Sequence, residues 1–140
     1  MRHLYTTKVT AVGGRNGIVK SDDGILALRL AMPKELGGKG GATNPEQLFA
    51  AGYAACFGGA LDYVAKQQKK DASKAKVTCA VSIGPREGGG FGLSVKMRVE
   101  DKSFAQPELA ALVAEAHEKI CPYSHATRSN VAVVFEVVGG

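Results

Sequence analysis

Thirteen residues from Leu48 to Ala60, LFAAGYAACFGGA, carry no charge on any face. Asn44 precedes the run as an N-cap, Pro45 takes the first helical position, and Gln47 is placed to close a capping box. The pattern predicts a helix from there to about Lys69. A helix apolar all round must be covered on every side, so the rest of the chain has to fold around it as a central rod. Its many Ala and Gly residues make that rod thin. The ~13 uncharged positions fall short of the ~20 needed to cross a bilayer, so the segment reads as core and not as a membrane span.

Strand patterns flank this helix. Residues 4–12 alternate loosely, Gly13-Gly14-Arg15-Asn16-Gly17 is strong turn chemistry, and Gly17–Lys20 and Ile25–Leu30 follow as short strands, giving an N-terminal β-meander. Residues 33–43 hold four glycines and a proline and read as a loop. Val77–Ile83 and Phe91–Val99 predict a hairpin with a long Gly-rich turn, and Val131–Val138 a last strand. Between them Pro107 opens a second helix with Leu109, Leu112, Val113, Ala116 and Ile120 on one stripe, stopped by Pro122. Strands and helices do not alternate as βαβ units would require, so the class is α+β: an antiparallel sheet packed around a long central helix plus a second helix.

With 45% apolar residues, 140 positions are enough for one core, and a single domain over 1–140 is expected. Eighteen basic against 13 acidic residues give a net charge of +5, dense only at Lys66, Lys69, Lys70, Lys74 and Lys76, which reads as a solvated face. The polar start after Met1 has no signal-peptide pattern, which points to the cytoplasm. Three cysteines are too few for a secreted disulfide framework, so the question is which of them react.

Cys56 sits mid-helix with Gly52, Tyr53, Gly59 and Ala60 one turn away, which leaves room beside the sulfur. On local pattern alone, tight helix packing is the commoner role for such a cysteine. Burial raises a thiol's pKa, so reactivity there requires a cation from elsewhere in the chain. Arg15, at the tip of the first turn, is the candidate cation, and an ordinary exposed turn arginine is the commoner case. Glu46, in the first turn of the helix, either complements the helix dipole or orients Arg15. It lies ten residues before Cys56, about 15 Å along a helix axis, so one helix cannot put both in contact. If they share a site, Arg15 spans part of the gap or a second subunit supplies Glu46, and a homodimer-interface site is expected. Cys121, placed at a helix C-terminus where the dipole disfavours a thiolate, suits a resolving thiol, whereas Cys79 in a strand reads as structural. A zinc site from His117, Cys121, His125 and Cys56 is a weaker rival, because Pro122 breaks the helical face and His117 is expected on the polar side of its helix. Gly37-Gly38-Lys39-Gly40-Gly41 lacks the Walker spacing and the following Ser or Thr of a phosphate loop.

Taken together, Gly13-Gly14-Arg15-Asn16-Gly17, the run Thr43-Asn44-Pro45-Glu46-Gln47-Leu48-Phe49-Ala50-Ala51-Gly52-Tyr53, Ala55-Cys56-Phe57 and Cys121-Pro122-Tyr123-Ser124 closely resemble the organic hydroperoxide resistance (Ohr) branch of the OsmC-like superfamily. The resemblance spans nearly the whole chain. It implies an intertwined α+β homodimer that reduces organic hydroperoxides, fatty-acid hydroperoxides included, with no bound cofactor, metal or haem. It also implies roles: Cys56 as the peroxidatic and Cys121 as the resolving cysteine, Arg15 as the activator of the thiolate, and Glu46 as the partner of that arginine. The implied reductant of the Cys56–Cys121 disulfide is a dihydrolipoyl group on a lipoylated enzyme. His125 departs from the asparagine expected after Cys-Pro-Tyr-Ser and touches none of these positions. Two other readings are a broader-substrate OsmC-type peroxidase and a basic binding module, which no aromatic-rich basic strand or recognition helix supports.

Overall fold

The computed structural model describes all 140 residues. The chain divides into two compact units, Met1–Leu48 and Phe49–Gly140, and the boundary falls inside helix α1, Pro45–Gln67.

In the first unit three short strands, β1 (Val9–Val12), β2 (Ile18–Ser21) and β3 (Ala27–Arg29), form an antiparallel sheet in chain order. The β1–β2 connection is the expected Gly-rich turn. Gly13 and Gly14 take φ of 84° and 58°, and a Cβ on Gly17 would stand 1.7 Å from the Val12 carbonyl oxygen, so the turn closes only with glycine there. Arg15 is carried on this turn. Asn16 Oδ1 accepts from the Met32 N–H at 3.1 Å, and Leu30 bridges Thr43, which ties down both ends of the loop at 33–43. Val9, Val12, Ile18 and Leu28 remain exposed on this sheet.

The start of α1 follows its sequence signal. Asn44 Oδ1 accepts from the Gln47 N–H at 2.9 Å, but the Gln47 side chain does not return to Asn44; the Thr43 hydroxyl donates to its Oε1 at 2.7 Å. The helix ends two residues before Lys69, which turns into the left-handed region at φ 59°.

In the second unit α1 packs on a sheet of β4 (Lys76–Pro85), β5 (Phe91–Glu100) and β6 (Ala132–Val138). The β4–β5 hairpin is antiparallel from Lys76↔Glu100 to Pro85↔Phe91, but β6 lies parallel to β5, so this sheet is mixed and not purely antiparallel. The parallel return needs a long crossover, and the chain supplies one in α2 (Gln106–Glu115), a π-helical turn at Ala116–Ile120, and α3 (Pro122–Thr127). Proline at 122 thus ends one helical stretch and begins another. Tyr53, Phe57, Leu61 and Val64 of α1 meet Val95, Met97 and Val99 of β5 and Leu109, Leu112 and Val113 of α2 in one core. Cys79 lies in the half-buried register of β4 opposite Met97, and burial pushes its thiol up, as befits a packing residue.

One side of α1 departs from expectation. Ala51, Ala55 and Gly59 are exposed, and with Ala54, Gly58, Asp62, Ala72 and Val77 they line an open groove of about 540 Å³. A single chain therefore covers its apolar helix on one face only. By length and composition α1 is also long and apolar enough to cross a membrane, contrary to the count of uncharged positions, but its Tyr53–Val64 face is built into the core of this unit.

Candidate active site

Helix α1 and the N-terminus of α3 bring Cys56 and Cys121 together, with their sulfurs 3.9 Å apart and unbonded. A disulfide needs about 2.05 Å, so less than 2 Å of closure separates the two thiols from a bond. Cys56 is half-buried whereas Cys121 is 1% exposed, so the α1 sulfur is the one a small molecule reaches first. Burial pushes the Cys56 thiol up, the neighbouring Cys121 adds to this, and the backbone N–H of Tyr123 acts in the opposite direction.

Cys121 stands at a helix C-terminus, as its sequence position suggested, and also at the start of a second helix. The π turn closes with the Cys121 N–H donating to the Ala116 carbonyl at 2.9 Å. The residue then extends, at φ −68° and ψ 117°, and its side chain caps the next helix. Its sulfur accepts from the Ser124 N–H at 3.4 Å, so the positive end of α3 faces it. Gly52 makes room for this arrangement, since a Cβ there would come within 3.2 Å of the Tyr123 ring.

Behind the sulfurs lies a buried polar cluster that sequence reasoning did not find. Tyr53, fully buried, shares a hydrogen bond with Ser124 Oγ at 2.8 Å and another with Thr127 Oγ1 at 3.2 Å, and His117 Nδ1 shares one with Ser124 Oγ at 2.8 Å. His117 is half-buried, with its ring 4.8 Å from Phe135, and does not occupy a solvent-facing position. Burial and the Arg128 charge hold its imidazole below the ordinary histidine range. In the sequence Ser124 and Thr127 after Cys121 are ordinary turn composition, and no pattern singles the cluster out.

In the first unit Arg15 and Glu46 form a bidentate pair, Nη1 donating to Oε2 and Nη2 to Oε1, both at 2.8 Å. The hydrogen bonds from Arg15 hold the Glu46 carboxyl below its ordinary value, so the pair is ionised at neutral pH. Glu46 finds its arginine within its own chain. The four residues singled out from the sequence thus stand as two pairs, Cys56 with Cys121 and Arg15 with Glu46. The zinc constellation does not assemble: no three His, Cys, Asp or Glu side chains converge on one point.

Comparison with known proteins places the chain. The profile of the OsmC-like protein family matches residues 38–136. The chain belongs to the OsmC/Ohr family. It is 50% identical over 132 residues to an organic hydroperoxide resistance protein of Xanthomonas axonopodis pv. citri, covering 93% of this chain and 92% of that one. To the organic hydroperoxide resistance protein OhrB of Bacillus subtilis it is 50% identical over 137 residues, covering 96% and 98%. Among solved structures, an organic hydroperoxide resistance protein from Legionella pneumophila superposes with a TM-score of 0.93 at 52% identity, covering 98% of this chain and 99% of that one. One from Elizabethkingia anophelis gives 0.94 at 46% identity over the full length of both. The OsmC/Ohr resemblance read from four short motifs therefore extends to the whole fold.

Proposed function

We propose that this chain is a cysteine peroxidase that reduces organic hydroperoxides, alkyl and fatty-acid, to alcohols. The observation that carries the reading is the pair of thiols 3.9 Å apart, one accessible and one buried. The names of its relatives, organic hydroperoxide resistance proteins, supply the substrate class. In the first step the Cys56 thiolate attacks the distal oxygen of ROOH. The O–O bond breaks, ROH leaves with a proton, and Cys56 becomes a sulfenic acid. In the second, Cys121 condenses with that sulfenic acid, giving the Cys56–Cys121 disulfide and water. A dithiol, for which dihydrolipoyl groups on lipoylated proteins are proposed, returns both thiols to the reduced state. A thiol pushed up by burial needs a cation to ionise at neutral pH, and that is the role proposed for Arg15, oriented by Glu46.

The working unit in this reading is a homodimer. The support is the α1 face left uncovered by its own chain, together with a three-stranded sheet whose Val9, Val12, Ile18 and Leu28 lie exposed. The test is steady-state turnover of tert-butyl hydroperoxide and of hydrogen peroxide with dihydrolipoamide, thioredoxin or glutathione as reductant. The reading expects turnover with the organic peroxide and dihydrolipoamide that far exceeds every other combination. Equal rates on both peroxides would favour a broader OsmC-type activity, and no turnover with any reductant would overturn the reading.

A further inference from the structure

The buried cluster behind the thiols has no part in the chemistry described so far. Ser124 is fully buried and Thr127 nearly so, at 5% exposure. Polar groups in a core cost stability unless each is satisfied, and here each is. Ser124 is the centre of the cluster and has two separate tasks. Its hydroxyl is held by Tyr53 from α1 and by His117 from the π turn, each at 2.8 Å, and its backbone N–H donates to the sulfur of Cys121 at 3.4 Å.

His117 is itself fixed on three sides. Its Nδ1 is on Ser124, its ring packs edge-on against Phe135 at 4.8 Å, and its carbonyl accepts from the Arg128 guanidinium at 2.5 Å. It stands on a π turn, a form rare in proteins and frequent at functional sites. A regular α-helix through Ala116–Ile120 would rotate His117 to a different bearing, so the π turn and the hydrogen bond to Ser124 belong together.

We propose that His117 is a positioning residue for the resolving step, holding Ser124 so that the start of α3 keeps the Cys121 sulfur aimed at Cys56. The proposal rests on the peroxidase reading above. In the step it serves, the Cys121 sulfur forms a bond to the Cys56 sulfur as the S–O bond of the sulfenic acid breaks. The hydroxyl leaves as water with the Cys121 thiol proton, so Cys121 is oxidised and the sulfenic sulfur reduced. His117 touches neither sulfur. It sets the fraction of sulfenic acid that meets a correctly placed thiol before a second peroxide does.

The test is a single turnover of pre-reduced protein with tert-butyl hydroperoxide. Peroxide loss and disulfide formation are timed separately, and mass spectrometry counts Cys56 sulfinic acid. His117→Phe keeps the ring against Phe135 and deletes the hydrogen bond, His117→Asn keeps a polar atom near the Nδ1 position, and Ser124→Ala removes the relay from its other end. The expected result is an unchanged rate of peroxide loss, disulfide formation slowed on the order of 10- to 100-fold in His117→Phe and Ser124→Ala, more sulfinic acid in both, and recovery in His117→Asn. Disulfide formation at the wild-type rate in His117→Phe would overturn the proposal while leaving the peroxidase reading intact. So would a parallel slowing of both steps without rescue by asparagine, which marks a structural role. Should His117→Phe not fold, Ser124→Ala alone decides by the same two rates. Failure of the wild type to consume peroxide would overturn the peroxidase reading itself, and this proposal with it.

Discussion

Cys56 is a thiol that its own position discourages from ionising. It lies mid-helix, where the dipole gives little, and burial and Cys121 both push its pKa up. A raised thiol pKa means less thiolate at neutral pH and a peroxide rate that climbs as pH rises toward that pKa. If Arg15 supplies the compensating cation, Arg15→Ala should slow the peroxide step at pH 7 by roughly 10- to 1000-fold, and the deficit should shrink as pH rises. Stopped-flow rates between pH 6 and 10 measure this, and parallel profiles for the two proteins would remove Arg15 from the step. Glu46 works in the opposite direction on the pH scale. Its carboxyl is held below the ordinary 4.5 by Arg15, so the pair contributes fully at neutral pH and is lost only as pH falls through that depressed value. Glu46→Gln should therefore lower the peroxide rate at pH 7, and it should abolish whatever part of the wild type's acid-side decline comes from opening of the pair.

At the scale of elements, α1 does two jobs, and they separate by face and by end. Its N-cap is a single hydrogen bond from the Gln47 N–H to Asn44, so Asn44→Ala should cost about 1 kcal/mol in urea denaturation with no change in slope. Its core face carries the larger share of stability: Phe57, fully buried and 5.1 Å from Phe135, should lose about 3–5 kcal/mol as alanine. These elements were legible in the sequence because their signals are local. A cap, a proline at the first turn, an uncharged run and period-two strands act over a few residues. The crossover was read less well. A second proline signalled the end of a helix, but Pro122 serves equally as the first residue of α3, and nothing in a window of ten residues tells the two apart. Cys121 therefore stands between the C-terminus of the π turn and the N-terminus of α3, and only the first of these settings was legible in the sequence. The parallel placement of β6 escaped for a similar reason, since strand partners are chosen by tertiary packing and not by the strand's own pattern.

For the whole molecule, the residues proposed to carry the chemistry were singled out in the sequence, yet their pairing was not a local property. Cys56 and Cys121 are 65 positions apart, and Arg15 and Glu46 are 31 apart; only the fold closes those separations to contact. The four Ohr-like motifs carried that information as resemblance, whereas the Tyr53–Ser124–His117 cluster, spread over ordinary residue types, carried none that could be read. The uncovered side of α1 bears on assembly. If a second copy covers the groove at Ala51, Ala55 and Gly59, Ala55→Glu should place a charge in that contact and shift the protein from dimer to monomer in sedimentation, with loss of activity. A monomeric wild type at full activity would contradict the homodimer. The central claim is the division of labour between the two thiols, and single-turnover mixing with tert-butyl hydroperoxide tests it most directly in wild type, Cys56→Ser and Cys121→Ser. The account predicts one peroxide consumed per wild-type chain with a Cys56–Cys121 disulfide formed. It predicts no consumption in Cys56→Ser, and a Cys56 sulfenic acid that proceeds to sulfinic acid in Cys121→Ser. Peroxide loss that survives Cys56→Ser, or a wild type whose thiols stay reduced while peroxide persists, would contradict it.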